Sequence, residues 1–266
     1  MKMLNPNIDI DTFFSNLRKG TEKILVLDYD GTIAPFKVER DKAFPDKKIV
    51  DLLKKIVKSR DCTVAIVSGR KAKEIARLLP DLNNRIEIWG SHGWEHIELD
   101  GSYSNSRPAP EVLKAIEDAA KKVNGYSLKG RIERKDASIA IHTRGLEKKE
   151  QKEIKDKVVP EWKDIASAEG MSLVRFNGGY ELRDKSINKG SVIREIIEKS
   201  GKNGIICYIG DDSTDEDAFA ELKDRGLSIL ISYEDPISSN ADVKFDSMDE
   251  LIDFLKRWSR ACGGER

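Results

Sequence analysis

The sequence predicts an α/β fold: a parallel sheet covered by helices on both faces, interrupted by an inserted α+β segment. Three observations predict it. Short continuous apolar runs such as Ile24–Leu27 and Thr63–Val67 alternate with amphipathic stretches, which marks strands buried on both faces. That alternation stops near residue 106 and resumes after residue 185. Between the two, the pattern shifts to hairpin signals and paired short strands. The expected division is a core over 1–106 and 185–266 with the insert over 107–184.

Taken in order, Ile24–Leu27 is a strand, and helical spacing follows through Ile49, Leu52, Leu53, Ile56 and Val57. Thr63–Val67 is the next strand, Ile75, Leu78 and Leu79 form a helical stripe, and Ile86–Trp89 is a third strand. His92–Tyr103 contains Asp100–Gly101, a hairpin turn signal. After Pro108 and Pro110 the spacing predicts a helix over Glu111–Val123, then strands near Tyr126–Leu128 and Ser138–His142. The run Glu147–Lys157 reads as a solvated helix face with opposite charges four apart. Ser172–Phe176 and Tyr180–Arg183 form a strand pair around Asn177–Gly178–Gly179. The α/β pattern then returns with helix Lys189–Lys199, strand Ile205–Ile209, helix Asp215–Leu222 and strand Leu227–Ile231. A strand around Val243, a helix Met248–Trp258 and a frayed tail ACGGER complete it.

Composition narrows the function classes. Lys plus Arg is 47 and Asp plus Glu is 47, so the formal net charge is zero. The large basic excess of a general nucleic-acid binder is missing. Charged residues reach 35%, above the ~25% of typical globular chains, a surplus that suits the ion-pair networks of heat-loving hosts. No stretch approaches the ~20 apolar residues of a membrane span, and MKMLNPNIDI lacks the apolar run of a secretory signal. Cys62, Cys207 and Cys262 are too few and scattered for a disulfide framework or zinc ribbon, and Cys62 and Cys207 read as buried, reduced thiols. The expectation is a soluble, monomeric, cytoplasmic protein with no nucleic-acid or membrane partner.

Chemistry concentrates at strand ends. In LVLDYDGTIAPF, Asp28 closes an apolar strand and Asp30 follows just before Gly31. Ligands of open α/β sheets bind at the carboxyl ends of strands. Two carboxylates there repel, and a divalent cation relieves them; Mg²⁺ suits because it shares its shell with phosphate and water. Taken alone, Asp30–Gly31 is also ordinary turn chemistry. Val67–Ser68–Gly69–Arg70 sets a hydroxyl before a helix whose amides can accept an anion, although Ser68 alone reads more simply as an N-cap. Asn188–Lys189–Gly190–Ser191 starts another helix with a lysine that in isolation suits the surface. Ile209–Gly210–Asp211–Asp212 ends a further strand with two carboxylates, followed by Asp215, Glu216 and Asp217, which a helix dipole favours.

D-x-D, S-G-R, K-G and G-D-D, in this order, offer a nucleophile, a proton donor, anion ligands and a metal cradle. The order and spacing resemble the haloacid-dehalogenase superfamily of phosphotransferases, and the insert resembles its α/β cap of the C2 type. Such a likeness implies a Rossmann-like core. The resemblance narrows to the trehalose-6-phosphate phosphatases and covers Lys23 to Trp258. It rests on GDDSTDEDAF (Gly210–Phe219), on Gly90–Glu95 as G-x-H-G-x-E, and on Glu133–Lys135 with His142–Arg144 as E-x-K and H-x-R. Gly179–Glu181 followed by Lys189–Gly190 is similar to the family's G-x-E…KG.

The resemblance implies that Asp28 is a nucleophile and Asp30 a general acid and base. It implies Mg²⁺ on Asp28, the backbone carbonyl of Asp30 and Asp211, with Asp212 or Asp215 assisting. Ser68 and Lys189, with amides near Gly31 and Gly69, would hold the phosphoryl oxygens, and Thr32 and Arg70 would bind the substrate. Glu95 from the core, and Lys135, Glu181, His142 and Arg144 from the cap, would face the sugar. The expected partner is a small-molecule sugar phosphate, and the expected reaction is hydrolysis of trehalose 6-phosphate through an aspartyl phosphate. Cap closure is expected to hinge near Ser106–Pro108 and Arg183–Ser186. The alternatives are another sugar phosphate (sucrose 6-phosphate or a glycosyl-phosphoglycerate), a phosphosugar mutase, or a non-catalytic phosphosugar-binding module.

Overall fold

The computed structural model describes residues 1–124, 131–168, 170–201, 204–233 and 238–263. It divides into two compact units, Met1–Asn105 with Asn188–Arg266, and Ser106–Ile187. The expected strand near Tyr126–Leu128 lies outside the described residues.

The first unit starts with β1 (Lys2–Met3) and α1 (Ile10–Lys19), whose N-terminal amides are capped by the Asp9 carboxylate. Then come β2 (Glu22–Leu27), α2 (Lys47–Ile56), β3 (Cys62–Val67), α3 (Ala72–Leu78), β4 (Glu87–Gly90), β5 (Glu95–Ile97) and β6 (Tyr103–Asn105). The second unit holds α4 (Pro110–Val123), β7 (Ile132–Arg134), β8 (Ser138–His142), α5 (Lys148–Ala168), β9 (Met171–Phe176) and β10 (Gly179–Asp184). The chain then returns with α6 (Lys189–Ser200), β11 (Gly204–Gly210), α7 (Glu216–Leu222), β12 (Gly226–Ile231), β13 (Val243–Phe245) and α8 (Met248–Ala261).

Among the described residues the first unit's sheet has nine strands in the order β1-β13-β12-β11-β2-β3-β4-β5-β6. From β13 to β4 every pairing is parallel. The edges are antiparallel: β1 on β13, and the β5–β6 hairpin whose turn carries Gly101 at φ +86°. The continuous apolar runs follow from coverage of both faces. Leu25 and Leu27 of β2, with Val64, Ile66, Cys207 and Ile209, pack against buried residues of α1, α2, α3 and α8. Their neighbours Ile24, Val26, Ala65, Val67 and Tyr208 face the other way, against α6 and α7.

The second unit's sheet is antiparallel, β7-β8-β10-β9. Ile139, Ile141 and Leu182 pack on α4 and α5 through Ala115, Ile116, Ala119, Val158 and Trp162. On α5 the expected charged face forms, with Lys157 pairing Glu153 and Lys152 pairing Asp156, while Ile154, Val158 and Trp162 turn inward. Among the described residues no helix is long and apolar enough to cross a membrane.

Two sequence expectations are overturned. Cys62 is not a reduced thiol: it is disulfide-bonded to Cys262 across a sequence separation of 200. The reason is topological. Helix α8 packs along α2 and α1, which carries Cys262 to the first residue of β3, with the two Cα atoms 6.5 Å apart. Nor is the tail frayed at its start, because α8 runs to Ala261 and both Ala261 and Cys262 are buried. Cys207 is a free buried thiol as expected, and burial pushes its ionisation well up.

Candidate active site

β2 lies between β11 and β3. The chain winds outward from β2 through β3 and β4 on one side, and through β11, β12 and β13 on the other. This is the topological switch point, where the loops beyond the strand ends diverge and leave a crevice. Asp28 stands there, one residue past β2, its amide donating to the Ile209 carbonyl of β11 (2.9 Å).

The acidic loop after β11 closes on it. Asp28 Oδ1 accepts from Lys189 Nζ at 2.9 Å, and the same ammonium donates to Asp215 Oδ1 at 2.6 Å. Lys189 opens α6, whose N-terminus is tied by a reciprocal Asn188–Ser191 capping box. Asp215 is buried and fully engaged. Its Oδ1 also accepts from the Tyr208 hydroxyl, and its Oδ2 accepts the amides of Asp211 and Asp212, each at 3.0 Å. Asp212 Oδ1 accepts from the amide (2.8 Å) and hydroxyl (2.7 Å) of Thr214. Gly31, at φ +87°, must be glycine for two reasons: the backbone is left-handed, and a Cβ would fall 2.2 Å from Asp211 Oδ2. The D-x-D-G loop and the G-D-D loop therefore lie against each other.

Carboxyl groups outnumber cations in this cluster. Burial raises the Asp28 carboxyl to about 8 against the pull of Lys189, with Asp215 adding to the rise. Burial also lifts Asp211 well above the carboxylate range, with Asp28 and Asp212 pushing the same way. Asp215 goes the opposite way, lowered against its burial by Lys189, Tyr208 and the amide of Asp212. Burial disfavours the Lys189 ammonium, but Asp215 and Asp28 outweigh it and hold its value up. Asp211 Oδ1 is buried with no hydrogen-bond partner. One carboxylate oxygen each from Asp28, Asp211 and Asp215 lies within 4.8 Å of the others. An acid-rich oxygen set with one orphaned atom fits a hard divalent cation. Both oxygens of Asp215 are already committed to Lys189, Tyr208 and two amides, so Asp28 and Asp211 are the residues of this set that could hold such a cation.

The other expected residues divide into three groups. Ser68 is buried at the end of β3, its Oγ accepting the Arg70 amide at 3.2 Å. Thr32 is buried with Oγ1 unpartnered, and Gly69 faces the His92 ring, 2.9 Å from where a Cβ would stand. Two residues are engaged elsewhere than expected. Arg70 holds Asp30 through Nε–Oδ2 and Nη2–Oδ1, each 2.6 Å. Glu95 is buried with both oxygens occupied, Oε1 by the Ser91 hydroxyl (2.9 Å) and Oε2 by the Ala72 amide at the start of α3 (3.0 Å). It pins Ser91 and His92, which occupy consecutive left-handed positions at φ +51° and +61°.

In the second unit, Lys135 and Glu181 come together. Glu181 Oε1 accepts from Lys135 Nζ at 3.1 Å and from the Ser138 hydroxyl at 2.6 Å, all three residues being buried. His142 instead pairs with Glu133 at 2.8 Å, its ring edge-on to Phe176, and Arg144 donates to the Asn177 carbonyl. Sequence reasoning missed Tyr208 and Ser138. Tyr208 stands inside an apolar strand where a tyrosine is ordinary. Ser138 shares a strand face with Ala140 and His142, and only the register opposite β10 reveals its proximity to Glu181.

Comparison with known proteins agrees with this geometry. The profile of the family described as trehalose-phosphatase matches residues 26–249. "Probable trehalose-phosphate phosphatase E" of Arabidopsis thaliana is 29% identical over 272 residues, covering 92% of this chain and 73% of the relative. Trehalose-phosphate phosphatase B of the same plant is 28% identical over 272 residues, covering 94% and 70%. The C-terminal domain of the Candida albicans trehalose-6-phosphate phosphatase shares the fold at a TM-score of 0.81 and 17% identity, over 98% of this chain and 99% of that one. From the strand-end carboxylates and the match along most of its length, the chain belongs to the trehalose-phosphatase family, a family of phosphatases.

Proposed function

We propose that the chain hydrolyses trehalose 6-phosphate to trehalose and phosphate, with Asp28 as the nucleophile. The observation that carries this reading is the buried Asp28–Lys189–Asp215 bridge beside the orphaned Asp211 oxygen. A carboxylate oxygen of Asp28 forms a bond to phosphorus while the bond from phosphorus to the sugar oxygen breaks. Asp30 gives its proton to that departing oxygen, then takes a proton from the water that attacks the aspartyl phosphate, and inorganic phosphate leaves. Lys189 and Ser68, with amides near Gly31 and Gly69, hold the phosphoryl oxygens. Asp28 and Asp211 would hold Mg²⁺, which when bound offsets phosphate charge. Lys135 and Glu181 are assigned to the sugar, since together they supply donors and acceptors that match hydroxyl groups.

Phosphate release from trehalose 6-phosphate, sucrose 6-phosphate and glucose 6-phosphate, each with and without Mg²⁺, tests the reading. Release that is Mg²⁺-dependent and fastest with trehalose 6-phosphate supports it. Preference for another sugar phosphate moves the substrate, isomerised sugar without free phosphate makes the chain a mutase, and no turnover makes it a binding module.

A further inference from the structure

Each nitrogen of the Arg70 guanidinium donates inside the protein, three of its five N–H donors in all. Nε and Nη2 donate to the two oxygens of Asp30 at 2.6 Å each, and Nη1 donates to the Arg40 carbonyl at 2.6 Å. The ring of Tyr29 lies 5.4 Å from its Cζ, and its own backbone is tied by the Ser68 hydroxyl below and the Ser91 amide above. Arg70 is 3% exposed whereas Asp30 is partly open to solvent. Parallel two-pronged pairing fixes the plane of a carboxylate as well as its charge.

We infer that Arg70 is a positioning residue acting through Asp30: it receives the carboxylate that Asp30 becomes after giving its proton to the leaving sugar oxygen. This deepens the proposed function and rests on its assignment of Asp30 as the acid. In the first step the proton passes from Asp30 to the sugar oxygen as the phosphorus–oxygen bond breaks, and a new negative charge appears on Asp30. Arg70 offsets that charge and orients the group. In the second step water returns a proton to Asp30, and the pairing is released. A substrate whose leaving group departs without a proton creates no such charge, so its first step does not need Arg70.

The test compares trehalose 6-phosphate with p-nitrophenyl phosphate, whose nitrophenolate leaves unprotonated, by rapid-mixing measurement of the first product released. Arg70→Met is expected to slow trehalose release by about 100-fold, the scale of a general-acid contribution, and to leave the nitrophenolate burst within about 3-fold. In an Asp30→Asn background the same substitution should add less than about 2-fold, because the two residues act as one unit. Arg70→Lys keeps the charge without the fork and should fall between wild type and Arg70→Met; it carries the test if Arg70→Met fails to fold. Equal slowing of both substrates, no slowing of either, or a full extra loss in the Asp30→Asn background would overturn the inference. If Asp30→Asn itself leaves trehalose release unchanged, it is the acid assignment of Asp30 that fails.

Discussion

Among the described residues, two groups pair a buried lysine with a buried carboxylate, one in each unit, and they are balanced differently. In the first unit one ammonium, Lys189, serves both Asp28 and Asp215, with Asp211 and Asp212 adjoining. In the second unit one ammonium, Lys135, meets one carboxylate, Glu181, and Ser138 adds a further donor to it. The first group has more carboxyl groups than cations, burial holds Asp28 and Asp211 above the carboxylate range, and Asp211 Oδ1 is left over. The second is satisfied as it stands. Excess buried charge costs folding free energy unless a ligand of opposite sign arrives. That arrangement suits chemistry and cation binding, whereas a closed pair suits recognition, in which a substrate hydroxyl exchanges with an existing partner.

The sharpest way to break this contrast is to neutralise one carboxylate in each group and read turnover. Asp28→Asn should reduce phosphate release more than about 1,000-fold, because an amide cannot serve as the nucleophile. Glu181→Gln should leave the rate at saturating substrate within about 10-fold and act mainly through KM, since uniform binding contacts behave that way. Comparable losses in the rate at saturation would mean that the two groups do not divide chemistry from binding.

Metal removal probes the same difference. Chelation should abolish turnover, and Mg²⁺ at about 100 times its Kd should raise stability by about 2.7 kcal/mol through its binding to the folded form. Asp211→Asn should lose that thermal shift while Glu181→Gln retains it. A shift that persists in Asp211→Asn would mean that the cation binds elsewhere.

The positions of the first group were legible because of where they stand in the chain. Asp28 and Ser68 follow directly on a continuous apolar run and Asp211 follows one glycine later, so strand-end placement follows from the pattern alone. Glu95 shows the limit of a motif. The G-x-H-G-x-E segment pointed to a sugar contact, yet both carboxylate oxygens brace the framework. S-G-R places Arg70 among the substrate-binding residues, and nothing in the motif states that its fork turns back to Asp30. The Cys62–Cys262 bridge was not legible at all, since the packing of α8 on α2, not spacing, brings the thiols together. This bridge ties the acid-rich unit and not the other. Reduction, or Cys262→Ser, should lower the stability of that unit by a few kcal/mol; chain entropy for so long a loop gives about 5 kcal/mol as the upper figure. Thermal melting with and without a reductant measures it, and an unchanged Tm would mean that the loop is already constrained in the unfolded chain.

The smallest effect is also the most discriminating, because its sign differs between the two groups. Without metal, Asp211→Asn removes a buried carboxyl whose ionisation the fold opposes, a cost that the folded form carries at neutral pH relative to the unfolded chain. It should raise stability by about 1 kcal/mol, a gain that comes from relieving a strained functional site. Glu181→Gln keeps the shape and one carbonyl acceptor for Ser138 but leaves Lys135 buried opposite a neutral amide. It should lower stability by about 1–3 kcal/mol, the cost of a buried charged group losing its partner. Chelated samples melted side by side read both signs. Two losses would mean that Asp211 is already paid its counter-charge by Lys189, in which case the orphaned oxygen is no mark of a cation site. Two gains would mean that Lys135 reaches another acceptor and that the second group is not a closed pair.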